Sequence, residues 1–241
     1  MQWPHQGDFA AYARDLRCSR PPLNVVVMPT STRKTRTPPP AGDFTSAVAH
    51  LRRRDAVLGA LIDRVGPYEI RTNRSPFEVM LQTIVSQQLS SRAADTIYAR
   101  LAAAMGGGSP RPARILSLTD EELRACGLSR AKTAYVRNVA LDFDARGYTR
   151  RSFTKLDDQT VIEALTTIKG VGDWSAHIFL IFALQRMDVF PIGDLGLRKG
   201  MLQTYGLRAN TKPARLERIA EAWRPYRTVG SLYMWRGYDT A

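Results

Sequence analysis

The chain has 241 residues, of which 44% are hydrophobic, enough for one or two small domains with a sizeable core. Lysine and arginine number 35 against 22 aspartates and glutamates, and the net charge of +13 favours a nucleic-acid partner, although a basic protein without such a partner would show the same excess. The chain has only two cysteines, which argues against a protein stabilised by disulfides. It has no long apolar run, which argues against a membrane span, and no signal-peptide pattern, which argues against secretion. We therefore expect a cytoplasmic protein, in the compartment of the chromosomal DNA, without a membrane partner.

Residues 1–42 differ in composition from the remainder of the chain. The segment 31–43, STRKTRTPPPAGD, is polar, basic and rich in proline, which is typical of an extended or disordered tail. A short apolar run at 23–28, LNVVVM, could be one strand or no regular structure. We predict a basic, proline-rich N-terminal tail over 1–42, for which a DNA-contacting arm is the alternative role, and a folded domain over 43–241.

The folded part of the sequence has the periodicity of helices throughout. Apolar residues recur at helical spacing in segments 47–62, 77–85, 93–101, 131–139, 161–165, 176–184, 216–223 and 229–235. Capping residues precede several of these runs: Thr119 starts a capping-box spacing, and Ser129 and either Asp157 or Asp158 can begin further helices. Since strand-like alternation is scarce, we predict an all-α domain of about eight to ten short helices, without an N-terminal β domain.

Residues 165–178, LTTIKGVGDWSAHI, join two of these apolar runs through a Gly-x-Gly turn. Gly170 and Gly172 permit a tight reversal through backbone angles that other residues avoid, and Val171 fills the interior of the hairpin. The backbone N–H groups at the start of the second helix then face outward, where they are able to bind a phosphate oxygen. A dinucleotide-binding loop is excluded because no strand precedes the turn and the third glycine is absent.

A single acid, Asp194, follows a Phe-Pro-Ile-Gly turn and precedes the segment LGLRKG, which has the pattern of a helix start. An aspartate at an N-cap is stabilised in its ionised form by backbone N–H groups and by the helix dipole. Such a carboxylate can stabilise the positive charge that develops on a sugar when a glycosidic bond breaks, and it can orient or deprotonate water. By itself, this pattern is more typical of a simple helix cap than of a catalytic acid.

Several segments, in the right order, resemble the 3-methyladenine DNA glycosylase II family of the helix-hairpin-helix DNA glycosylase superfamily. Besides the hairpin, residues 77–101 are similar to the family's early helix pair, residues 189–200 to its catalytic-acid segment and residues 223–236 to its closing segment. The resemblance covers residues 45–241, and it implies a fold of two helical subdomains that flank an active-site cleft.

The resemblance places the catalytic acid at Asp194 and the base pocket at Trp174, Trp235 and Ile178, where some relatives carry a tyrosine in place of Ile178. An electron-rich indole face attracts a positively charged alkylated purine by about 0.5–2 kcal/mol, although both tryptophans could instead be core residues. Trp174 occupies the position at which bifunctional relatives carry a lysine that forms a Schiff base with the sugar. The resemblance therefore implies a monofunctional enzyme without lyase activity.

DNA contacts also follow from the resemblance. The hairpin residues implied are Lys169, Gly170, Val171, Gly172, Asp173 and Ser175. Gln87, Gln88 and Leu89 lie in the loop that fills the gap left by a flipped nucleotide, with Gln88 favoured as the plug; capping of the neighbouring helices is the alternative role. Candidate phosphate contacts outside the hairpin are Arg130, Lys132, Arg198 and Lys199, any of which could equally be a solvated surface charge.

The resemblance further implies a structural monovalent cation, Na⁺ or K⁺, held by the backbone carbonyls of Thr166, Ile168 and Val171. We expect no required cofactor, and neither zinc nor an iron–sulfur cluster, because the histidines and cysteines are not spaced as metal ligands.

We predict a monofunctional DNA glycosylase of base excision repair that acts as a monomer. It would flip an alkylated purine, 3-methyladenine or 7-methylguanine, out of double-stranded DNA and hydrolyse its N-glycosidic bond, leaving an abasic site. One alternative is a glycosylase for another damaged base, and another is a non-catalytic helix-hairpin-helix DNA-binding protein. Asp194 argues against the latter, because an added negative charge weakens phosphate binding.

Overall fold

The computed structural model describes residues 44–67 and 74–239, and within them every regular element is a helix. The all-α prediction is therefore confirmed for this part of the chain, whereas the predicted tail over 1–42, with its apolar run, lies outside the described residues. No helix among the described residues is both long and apolar enough to cross a membrane.

Twelve α-helices and two short 3-10 helices follow one another in the described part of the chain. The α-helices are α1 (Phe44–Arg54), α2 (Ala56–Val65), α3 (Pro76–Ser86), α4 (Ser91–Ala104), α5 (Pro112–Ser117), α6 (Asp120–Ala125), α7 (Arg130–Arg146), α8 (Asp158–Thr166), α9 (Asp173–Phe182), α10 (Leu195–Thr204), α11 (Pro213–Ala220) and α12 (Arg227–Asp239). The 3-10 helices are Arg150–Phe153 and Glu221–Trp223.

The helices outnumber the prediction partly because the periodic segment 47–62 contains two helices and not one. Asp55 interrupts it in an extended conformation and caps α2, its Oδ1 atom accepting two backbone N–H bonds of 3.0 and 3.1 Å. Its Oδ2 atom accepts the hydroxyl of Tyr205 at 2.5 Å and the indole N–H of Trp223 at 2.9 Å. The break therefore ties the start of α2 to the end of α10 and to the second 3-10 helix.

The predicted helix starts are found at the expected capping residues. Thr119 and Glu122 form the capping box of α6, with donor–acceptor distances of 3.1 and 2.7 Å. Ser129 caps α7, and Asp157, not Asp158, caps α8. Hydrogen bonding to the first turn of α8 holds the pKa of Asp157 below its ordinary value.

Buried side chains form two hydrophobic clusters, which correspond to the two predicted subdomains. One cluster is built from α3 to α9, with Met80, Val136 and Phe179 at its centre. The other combines α1 and α2 with α10, α11 and α12, and includes Leu51 and Met201. From Phe44 onward, the described part of the chain thus contributes first to the second cluster, then to the first, and finally to the second again.

Helix α12 joins the two subdomains around the linker between α9 and α10. Trp235 packs against both clusters. The Thr228 hydroxyl donates to one linker carbonyl at 2.6 Å and accepts a linker N–H at 3.0 Å, while Arg227 donates to Asp188 at 2.7 Å. These contacts fix the linker, and the end of the linker carries Asp194.

Candidate active site

Asp194 lies where the two subdomains meet and caps helix α10. Its Oδ1 atom accepts the backbone N–H of Leu197 at 2.7 Å and the indole N–H of Trp235 at 2.8 Å. Its Oδ2 atom accepts the indole N–H of Trp174 at 2.8 Å. Three N–H groups therefore converge on one half-buried carboxylate.

The two tryptophans predicted for the base pocket are brought together on Asp194 from opposite subdomains. Trp174 lies in the first turn of α9 in the first subdomain, and Trp235 lies in α12 of the second. Both side chains are half-buried, so neither is only a core residue. Because each indole N–H is bound to the carboxylate, the planes of both rings are oriented beside it.

A third aromatic residue, Phe182, belongs to this site and was not predicted from the sequence. Its ring stacks on Trp235 with a centroid separation of 6.1 Å and an interplanar angle of 25°. Trp174, Ile178 and Phe182 follow at four-residue steps along α9, a spacing that places side chains on one helix face. That spacing was the signal by which the sequence could have revealed Phe182.

The two hairpin glycines have different roles. Gly170 has φ of +104°, and a Cβ atom there would lie 2.3 Å from Cγ of Tyr135, so both the backbone angle and the space require glycine. Gly172 has φ of −108° and ψ of −179°, which any residue adopts, and a Cβ atom there would meet open space. The expectation that Gly172 needs special backbone angles is therefore wrong. Val171 is 5% exposed, in line with its predicted place inside the hairpin.

The start of α9 presents backbone N–H groups without a side-chain cap, because the N-cap residue is Gly172. Lys169 and Asp173 are exposed on either side of this terminus. Ser175 is 1% exposed and its hydroxyl accepts a hydrogen bond from Gln87, so its side chain is engaged within the protein. The DNA contact at Ser175 stays a prediction, and the group that would make it is the backbone N–H.

The loop between α3 and α4 separates its three predicted residues. Gln87 points inward, and its side-chain amide donates to the Gly170 carbonyl and to the Ser175 hydroxyl, both at 3.0 Å. Gln88 and Leu89 are exposed, the latter to 40% despite its apolar side chain. Gln88 also has φ of +57°, which is uncommon for a residue with a side chain.

The candidate phosphate contacts differ in their surroundings. Lys132 donates to the backbone carbonyls of Val85 and Gln87, at 2.6 and 2.7 Å, so its ammonium is engaged within the protein. Lys199 is exposed and Arg198 is half-exposed on α10, one turn after Asp194, and neither forms an ion pair with the residues that the structure describes.

The predicted cation ligands lie in the turn between α8 and α9. The Ile168 carbonyl accepts the N–H of Val171 at 2.9 Å and keeps a second lone pair. No group of three or more histidines, cysteines and carboxylates that could hold a metal occurs among the described residues. Neutral backbone oxygens suit a monovalent cation, so the donor set of Thr166, Ile168 and Val171 fits the implied ion.

Comparisons with known proteins agree on one family. The family model described as the HhH-GPD superfamily base excision DNA repair protein matches residues 81–225. The chain is 34% identical over 201 residues to DNA-3-methyladenine glycosylase 1 of Schizosaccharomyces pombe, an alignment that covers 80% of this chain and 87% of the relative.

Solved structures give the same result. A Schizosaccharomyces pombe 3-methyladenine DNA glycosylase in complex with abasic DNA superposes with a TM-score of 0.74 at 32% identity, covering 79% of this chain and 95% of that one. A DNA-3-methyladenine glycosidase from Bacillus halodurans superposes with a TM-score of 0.68 at 34% identity, covering 83% and 92%.

Proposed function

Since the chain belongs to the HhH-GPD superfamily of base excision DNA repair proteins, we propose that it is a DNA glycosylase that releases alkylated purines, 3-methyladenine and 7-methylguanine, from double-stranded DNA. The observation that carries this proposal is the position of Asp194, which lies between two oriented indole rings and accepts three N–H bonds. Further support comes from the hairpin, because its Trp174 donates to this acid and its uncapped helix start suits a DNA phosphate.

The chemistry follows from the charges of the substrate and the site. An alkylated purine carries positive charge, and the indole faces of Trp174 and Trp235 attract a cationic ring. As the bond between C1′ and the base nitrogen breaks, its electron pair leaves with the base, which becomes neutral, and positive charge moves to the sugar. The Asp194 carboxylate stabilises that charge. Water then adds its oxygen to C1′, and its proton passes to the carboxylate or to solvent.

The DNA anchor in this proposal is the start of α9. Uncapped N–H groups and the positive end of the helix dipole bind a backbone phosphate oxygen. A monovalent cation on the carbonyls of Thr166, Ile168 and Val171 would add positive charge next to that phosphate. Lys169, Arg198 and Lys199 supply further positive charge, while Gln88 and Leu89 enter the duplex from the other loop.

We further propose that the enzyme is monofunctional and leaves the abasic strand intact. A lyase needs an amine that attacks C1′ and forms a Schiff base. The side chain that reaches Asp194 from the hairpin is Trp174, whereas Lys169 lies on the other side of the turn. Incubation with abasic duplex and borohydride should therefore trap no covalent complex, and strand cleavage by the purified protein would contradict this part of the proposal.

The test of the main proposal uses purified protein and methylated duplex DNA. Released bases are identified by mass, and abasic sites are counted by alkaline cleavage. Asp194→Asn should slow release by roughly a hundredfold or more, because the charge is lost and the new amide faces an indole N–H donor. Asp63→Asn, an exposed acid on α2, is the matched control and should keep the native rate.

Two outcomes would overturn the proposal. Release of methylpurines by Asp194→Asn at the native rate would remove the acid from the chemistry. Tight binding of DNA without release of methylpurines would favour the alternatives, first a glycosylase for another damaged base and then a non-catalytic DNA-binding protein.

A further inference from the structure

One face of helix α7 holds both loops that the proposed function places against DNA. Lys132, Tyr135 and Asn138 follow at three-residue steps and therefore share that face. The Asn138 amide donates to the Lys169 carbonyl at 3.1 Å. Gly170 packs directly against the Tyr135 ring, with which a Cβ atom at Gly170 would collide. These two contacts hold the hairpin.

Lys132, at the start of the same face, holds the other loop. Its Nζ atom donates to the carbonyl of Val85, in the last turn of α3, at 2.6 Å and to that of Gln87, the C-cap, at 2.7 Å. Carbonyls at a helix C-terminus lack intrahelical donors and form the negative end of the helix dipole, so an ammonium is the group best suited to them. Burial lowers the pKa of Lys132 from its ordinary value, and the two carbonyl acceptors offset part of the cost of keeping the ammonium away from water.

Gln87 connects the two loops directly. Its carbonyl accepts from Lys132, while its side-chain amide donates to the Gly170 carbonyl and the Ser175 hydroxyl, each at 3.0 Å. The hairpin and the turn between α3 and α4 are therefore joined by one continuous set of hydrogen bonds.

The residue that follows this junction has an unfavourable backbone. Gln88 has φ of +57°, a conformation that persists in a residue with a side chain only when its surroundings hold it. Leu89 comes next and exposes 40% of an apolar side chain. The constrained backbone of Gln88 and the exposed side chain of Leu89 suit a turn that is already in the conformation needed for insertion between bases. If the turn had to rearrange upon binding, the free energy of that rearrangement would weaken the binding of DNA.

We propose that Lys132 is a positioning residue for base flipping, which fixes the turn of residues 87–90 on the hairpin so that Gln88 and Leu89 point at the duplex before a nucleotide leaves it. This inference rests on the proposed function. It replaces the earlier expectation that Lys132 contacts phosphate, because two of the three N–H donors of its ammonium are occupied inside the protein.

The test compares Lys132→Met, which keeps the length of the side chain but removes its donors, with Lys132→Arg, which keeps charge and donors. Single-turnover release of 7-methylguanine is measured from a fully paired duplex and from the same sequence with the lesion in a short unpaired bubble. Lys132→Met should slow release from the duplex by roughly ten- to a hundredfold and from the bubble by less than about threefold, because an unpaired base costs little to flip. Lys132→Arg should restore most of the duplex rate.

A second readout does not depend on catalysis. 2-Aminopurine beside a tetrahydrofuran abasic analogue becomes fluorescent when its stacking is broken, and the wild-type protein should raise that fluorescence upon binding. Lys132→Met should reduce the rise at saturating protein, and Lys132→Arg should restore it.

The outcomes separate the two proposals. Equal losses on duplex and bubble, or an unchanged duplex rate and fluorescence rise in Lys132→Met, would overturn the positioning role and leave the proposed function intact. Absence of base release by the wild-type protein on both substrates would instead count against the proposed function. The positioning role of Lys132 would then be judged by the fluorescence rise alone, compared between the wild-type protein and Lys132→Met.

Discussion

Asp194 accepts hydrogen bonds from N–H groups on three different helices, α9, α10 and α12. Two of the donors are indoles, so in the proposed function each tryptophan would both orient the acid and form one wall of the base pocket. An aromatic ring without the N–H would perform only the second of these tasks.

Trp174→Phe and Trp235→Phe should each slow single-turnover base release by roughly ten- to a hundredfold, the usual range for one lost hydrogen bond to a charged group. Affinity for abasic duplex should change much less, since an aromatic wall remains. Trp223→Phe is the control: it removes an indole bond to Asp55 and none to Asp194, and should lower stability but keep the rate. Native rates in both pocket variants would contradict the orienting role of the indoles.

The hairpin glycines allow a paired comparison. Gly170→Ala should destabilise the protein by more than about 1 kcal/mol and weaken DNA binding, because the added Cβ collides with Tyr135 and the residue has positive φ. Gly172→Ala should change the free energy of unfolding by less than about 0.5 kcal/mol, since its backbone is unstrained and the space is open. Urea unfolding measures the free energy of unfolding of both variants. Equal losses of stability in the two variants would contradict the contact between Gly170 and Tyr135.

At the scale of elements, Asp55 joins helices that are far apart in the chain. It caps α2 and accepts from Tyr205 and Trp223, which lie at the end of α10 and in the second 3-10 helix. Burial, together with this hydrogen bond, raises the pKa of Tyr205, so the hydroxyl remains a donor. The second subdomain, whose helices come from both ends of the described chain, is held together at this point.

Asp55→Ala should reduce the free energy of unfolding by about 3 kcal/mol, because it removes a helix cap and leaves two donors without their acceptor. Asp63→Ala removes an ion pair with Arg52 between side chains that are 68% and 48% exposed, and should cost about 0.5 kcal/mol or less. Chemical unfolding of the two variants checks this, and similar losses would argue against Asp55 as the anchor.

For the whole molecule, the net charge of +13 predicts DNA affinity that depends strongly on salt. Affinity for undamaged duplex should fall at least tenfold between about 50 and about 200 mM salt, whereas the rate of base release at saturating enzyme should stay constant. Lys199→Ala should reduce the slope of log K against log salt by about one. Arg52→Ala is the control and should leave the slope unchanged, because the charge of Arg52 is paired with Asp63. A DNA affinity that does not change with salt concentration would contradict the electrostatic role of the basic residues.

Much of the fold was predictable because helix periodicity and capping act over a few residues. Thr119, Ser129 and Asp157 begin helices as expected, since a side chain that bonds to the next turn needs no distant partner. The split at Asp55 was missed because the apolar spacing continues across it, and the bonds that reveal its role come from residues 150 and 168 positions away.

Local patterns of spacing and residue type were enough to predict the helical class, the hairpin, the single acid after it and the family resemblance. The surroundings of Asp194 could be seen in the folded protein alone, because its indole donors are 20 and 41 residues away and come from different subdomains. The tertiary structure also showed that the Gln87 amide and the Lys132 ammonium bond to carbonyls within the protein. The direction of a polar side chain depends on which carbonyls and hydroxyls packing brings within reach, and local spacing carries no information about that.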